Sequence, residues 1–189
     1  MNQPGAKDDL TSVPGAVGLS YVSSPEQPVS EWSDAVYREL RDWVEARTGR
    51  WEWWEPGYLV LRIEAHEGSP VEPVVLDTYA DELTVTFGFW ETQLPDDGSH
   101  DEDDSSRASA AARLLVSDWL DGRIATAIYF DADDKWCGSK LVENPEDTAP
   151  LSDITWLADF RPARVEVRKS KRVEWRHFHL KNGKLGEPA

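Results

Sequence analysis

Residues 83–90 read LTVTFGFW, and their alternation constrains the fold more than any other stretch. Leu83, Val85, Phe87 and Phe89 fall on one side of an extended chain; Thr84, Thr86, Gly88 and Trp90 fall on the other. Side chains of a strand point to opposite faces with a period of two, so this stretch predicts a half-buried strand. Its apolar row, Phe89 included, is expected in the core. Gly88 lies opposite that row and leaves room for a neighbouring group to approach. A half-buried strand needs partner strands and a layer to cover its apolar face.

The flanking chain supplies both. Ser30 is placed to cap a helix with Glu31 in its first turn, and Trp32, Val36, Leu40, Trp43 and Val44 recur at helical spacing up to Gly49, the expected stop. WEWWEPG at 51–57 reads as a helix-to-sheet corner packed with indoles. Tyr58–Ala65 and Val71–Thr78 read as strands, the second with Pro73 marking an edge or a bulge, and Tyr79–Glu82 turns the chain. A loop from Glu91 to Asp104 carries seven acids and neither Lys nor Arg. An alanine-rich helix follows from about Arg107 to Trp119. Ser105 or Ser106 is its expected cap, and Ala108, Ala111 or Ala112, Leu115 and Trp119 form its inner stripe. Residues 123–130 and 135–142 predict a hairpin around Asp131–Asp134, and a short helical turn is expected at Ile154–Leu157. Residues 163–169 and 172–180 predict a last hairpin around Lys169-Ser170-Lys171.

Short connections between strands favour antiparallel pairing. The expected fold is therefore α+β: a largely antiparallel sheet of about seven strands with two main helices packed on one face. The Pro-, Gly- and Ser-rich residues 1–29 are expected to be a flexible leader, 30–181 a single α+β domain, and 182–189 a frayed tail.

Charge narrows the partner. The formal net charge is -16, which disfavours nucleic acid and anionic membrane and favours a basic protein. The distribution is uneven: from Arg161 onward nine Lys/Arg face three Asp/Glu, whereas the preceding 160 residues hold eleven against thirty-three. The single cysteine, Cys137, forms no internal disulfide. No signal peptide or long apolar run is visible, so a cytoplasmic location is expected.

Candidate chemistry is sparse. His177 and His179 are spaced to share one strand face, and a third ligand such as His66 or His100 would complete a metal site, but no second ligand pair has diagnostic spacing. Asp77, Asp81, Glu82 and Glu91 are carboxylates whose spacing selects no acid–base pair. Asp131, Asp133 and Asp134 resemble part of a calcium loop without its glycine and distal glutamate. No nucleophile elbow, P-loop or dinucleotide fingerprint is present. The expectation is a non-catalytic protein with no cofactor and no metal. Two alternatives stand beside it: a metal-dependent or carboxylate-based enzyme, and a carbohydrate-binding module using Trp51, Trp53 and Trp54.

The order ADELTVTFGFWETQL, helix, DGRIATAIYFDADDKWCGSKLV and RVEVRKSKRVEW, over roughly Tyr79–Arg176, resembles a group of small acidic bacterial proteins. Some of that group are immunity proteins of polymorphic toxin systems. Its strand ends in an aromatic-His-x-His stretch, where this chain has Trp90-Glu91-Thr92-Gln93. The resemblance implies a cytoplasmic binder that neutralises a basic toxin domain. Trp90, Glu91, Asp96, Asp97, Asp101, Glu102, Asp103 and Asp104 are the expected partner-binding residues, with the indole as anchor and the acids as the attracting charge.

Overall fold

The computed structural model describes residues 28–54, 57–65, 69, 71–95, 104–147, 151, 154–177, 179–181 and 184–186. Helix α1 spans Glu31–Glu45, and its first turn is capped as expected: Ser33 N donates to Ser30 Oγ at 3.1 Å. Val36, Leu40 and Val44 are its buried stripe. Gly49, the expected stop, instead opens strand β1 (Gly49–Trp54). That strand pairs antiparallel with β2 (Tyr58–Ile63), from Gly49 opposite Ile63 to Trp54 opposite Tyr58. Strands β3 (Val74–Asp77), β4 (Leu83–Phe87) and β5 (Trp90–Leu94) complete a five-stranded antiparallel sheet in chain order.

Helix α2 (Asp104–Leu120) begins earlier than expected, so Ser105 and Ser106 lie within it. Strands β6 (Ile124–Phe130), β7 (Trp136–Glu143), β8 (Arg164–Lys169) and β9 (Arg172–His177) form a second antiparallel sheet in the order β7-β6-β8-β9. Strands β10 (His179–Lys181) and β11 (Lys184–Gly186) pair as a separate small hairpin.

The class is thus α+β with two helices, but the expectation of one sheet of about seven strands is corrected to sheets of five and four. Each has its own core. Leu59, Leu61, Ile63, Leu76, Leu83 and Val85 of the first sheet pack with Val36 and Leu40 of α1 and Ala112, Val116 and Trp119 of α2. Ala127, Tyr129, Val165 and Val167 of the second pack with Leu151, Ile154 and Leu157.

Two further corrections follow from register. Phe89 is not in the core. Gly88 adopts φ +63° and closes a tight turn with Phe87 opposite Trp90, so the alternation ends at Phe87 and Phe89 projects from the hairpin tip, 48% exposed. The expected loop after Trp90 starts later, because Trp90–Leu94 pairs along the whole of β4.

A buried hydroxyl chain fixes α1 to the first sheet. Ser30 Oγ donates to Ser33 Oγ at 2.9 Å, and the Ser33 and Thr78 hydroxyls are 2.7 Å apart. Thr78 Oγ1 donates to Leu59 O at 3.0 Å and accepts from Leu59 N at 2.8 Å. Thr78→Val keeps the shape but leaves a buried N–H without its acceptor. The expected loss is about 1–3 kcal/mol in urea unfolding, with the far-ultraviolet spectrum unchanged.

Candidate functional site: an acidic sheet face and an aromatic cleft

Pairing register sorts the first sheet into two faces. Trp51, Trp53, Leu59, Leu61, Leu76, Val85, Phe87 and Trp90 share the face that α1 and α2 cover. Arg50, Glu52, Trp54, Tyr58, Arg62, Asp77, Thr84, Thr86, Glu91 and Gln93 share the uncovered one. The expected partner residues Trp90 and Glu91 therefore point to opposite faces. Trp90 stacks on Phe87 at 5.9 Å and is half-buried; Glu91 is exposed.

The uncovered face divides by charge. On β1 and β2 it is neutralised internally, with Glu52 accepting from Arg50 at 2.6 Å and from Arg62 at 3.2 Å. Desolvation raises the Glu52 pKa, but the hydrogen bonds from Arg62, Trp54 and Arg50 outweigh it and hold the carboxyl below its usual range. On β3–β5 there is no such balance. A cleft there is lined by Tyr58, Asp77, Tyr79, Glu82, Thr84 and Glu91, among others. Neither Asp77, Glu82 nor Glu91 is ion-paired to a cation among the described residues.

Tyr58 and Tyr79 meet edge to face at 5.2 Å, and Trp54 lies 6.4 Å from Tyr58. Burial, then the negative charge of Asp77 and the nearby Tyr79, push the Tyr58 phenol above its usual pKa. Among the described residues that line the cleft there is no histidine, cysteine or lysine. Its chemistry is charge plus ring faces, which suits the binding of cations.

A second cleft opens between the two sheets, where the β4–β5 hairpin tip meets β7. Phe89 and Trp136 lie 6.4 Å apart at 30°, and Trp156 stands edge-on to Tyr129 at 5.9 Å. Phe89, Trp136 and Trp156 are each about half exposed, at 48%, 53% and 48%. Gly138 makes room for the Trp156 ring: a Cβ there would come within 2.8 Å of it. Ser139 Oγ donates to Phe89 O at 2.6 Å and ties the two sheets together at this point. Glu91 lines both clefts.

Other expectations resolve as structure. Trp51 is buried edge-on against Tyr37 at 5.3 Å and Trp53 is partly buried in the same core, so only Trp54 of the tryptophan cluster faces out. Asp131 Oδ1 accepts from Asp133 N and Lys135 N at 2.8 and 2.9 Å, and Asp134 pairs with Arg164 at 2.9 Å, so these carboxylates serve the β6–β7 turn. Cys137 occupies the register shift between Tyr129 and Phe130; burial and then the charge of Asp131 raise its thiol pKa. Asp104 lies in the first turn of α2, 4.0 Å from Arg107 and largely covered.

His177 ends β9 and His179 begins β10. Among the described residues no group of three His, Cys, Asp or Glu could hold a metal ion. Asp96, Asp97, Asp101, Glu102, Asp103, His66 and His100 lie outside the described residues. No helix among the described residues is long and apolar enough to cross a membrane.

Sequence reading grouped Asp77, Glu82 and Glu91 only as candidate acid–base carboxylates, not as a binding face, and missed Tyr58 and Tyr79 as their aromatic flank. The available signal was the polar half of each strand's alternation, which does not by itself say which strands are neighbours. Comparison with known protein families, characterised proteins and solved structures returned no match.

Proposed function

We propose that this chain is a non-catalytic acidic binding protein of the immunity-like kind, whose partner is a basic protein such as a toxin domain. The observation that carries this reading is the uncovered face of β3–β5. Asp77, Glu82 and Glu91 stand there beside Tyr58 and Tyr79 without a cation to pair with among the described residues. Unpaired like charges on one face repel one another, and a basic partner relieves that repulsion on binding. The net charge of -16 adds long-range attraction, which raises the association rate more than the affinity.

The test is stopped-flow association with a basic protein recovered by co-purification or, where none is recovered, with a synthetic lysine-rich peptide. Replacing Asp77 by Asn, and Glu82 and Glu91 by Gln, is expected to slow association about tenfold at low salt, and the difference is expected to shrink as salt rises. An unchanged rate at every ionic strength counts against the reading.

A further inference from the structure

We infer that the aromatic cleft between the sheets is the anchoring pocket of the same interface, and that it takes an aromatic or branched aliphatic side chain flanked by lysines or arginines on the basic partner. This rests on the binding role proposed above. Three observations select the occupant.

The first is composition. Phe89, Trp136 and Trp156 present half-exposed rings around the backbone of Gly138, a floor that accepts apolar bulk. Buried aromatic anchors set in desolvated pockets dominate the energetics of protein interfaces. The second is continuity. Glu91 lines both this cleft and the acidic one, so a ligand reaching into the first lies against the carboxylate face. The third is charge. Among the described residues, the lining of the aromatic cleft contains Glu91 and no cation. The Arg168 guanidinium, 5.4 Å from the Phe89 ring centre, is already paired with Glu72 at 3.6 Å and with Glu166. A cationic flank is therefore attracted to the cleft mouth. A second copy, also at -16, is repelled.

Steering and anchoring separate in kinetics. Charge sets how fast the partner arrives, and the anchor sets how long it stays. The test uses two synthetic peptides titrated into the full chain by calorimetry at low salt. One has lysines around a central Phe-Leu pair, and the other has the same lysines around Ala-Ala. The Phe-Leu peptide is expected to bind about tenfold tighter. Trp136→Ala and, separately, Phe89→Ser are expected to bring that ratio close to one while leaving binding of the Ala-Ala peptide unchanged.

Equal affinities for the two peptides, with salt-sensitive binding retained, overturn the anchor and leave the binding role standing. A tenfold ratio that survives both variants does the same. No binding of either peptide overturns both. A concentration-dependent dimer that Trp136→Ala dissolves assigns the cleft to self-association and overturns the inference.

Discussion

Trp119→Ala is expected to destabilise the protein by about 3–5 kcal/mol, the range for removing a large aromatic side chain from a packed core. Trp119 is 1% exposed and is among the largest fully buried side chains. It lies on the inner stripe of α2, and its ring stands 5.2 Å from that of Phe87 at 35°. Phe87 in turn stacks on Trp90, so one substitution unsupports the β4–β5 hairpin from below. Chemical denaturation measures the loss. Trp119→Phe is expected to cost much less. The Trp119 indole N–H is buried with no hydrogen-bond partner among the described residues, and phenylalanine removes that unsatisfied donor while keeping most of the ring contact. If Trp119→Phe and Trp119→Ala were equally destabilising, the loss would have to come from a polar contact rather than from packing.

The second large effect belongs to Glu166. Its side chain is 4% exposed on β8, between Arg164 at 12% and Arg168 at 17%. Arg168 Nε donates to it, and Arg164 Nη1 stands 4.0 Å away. Removing this carboxylate by Glu166→Ala leaves two largely buried guanidiniums without their shared counter-ion. Arg164 also pairs with Asp134 and Arg168 with Glu72, but those carboxylates are 79% and 60% exposed, so solvent weakens that attraction. The expected loss is about 3–5 kcal/mol. Replacing Arg164, Glu166 and Arg168 together by methionine or leucine is expected to recover most of it, because no uncompensated charge then remains. A triple variant as unstable as Glu166→Ala would mean that the row is needed for its shape rather than its charge balance.

The legible part of the fold was the part carried by apolar periodicity. The stripe of α1, the β6–β7 and β8–β9 hairpins and the inner row of β4 up to Phe87 all follow from spacing. Strands β1 and β5 were missed for one physical reason. Their sequences, GRWEWW and WETQL, alternate bulky with polar residues, but they adjoin stronger signals, a helix stop and an acid run. The division into two sheets was not legible, because nothing local says whether the strand after α2 joins the first sheet's edge or begins another. Phe89 was misplaced because a glycine in a positive-φ turn looks, in sequence, like one more step of the alternation.

The candidate site was half legible. Glu91 was named from sequence and lines both clefts. Asp77 and Glu82 are separated from it by a strand and a turn; pairing register puts Asp77 on its face, and Glu82, just before β4, joins them in the cleft lining. Trp90 was named as the anchor; register puts it on the helix-covered face, half-buried against Phe87, and it lines the aromatic cleft beside the more exposed Phe89.

The most direct measurement is nuclear magnetic resonance shift mapping of the isotope-labelled chain with the alanine-centred lysine peptide. Salt-sensitive shifts are expected to concentrate at Asp77, Tyr79, Thr84, Thr86, Glu91 and Gln93, the uncovered face of β3–β5. Shifts centred instead on α1, α2 or the second sheet, or no shifts at low salt, would contradict it.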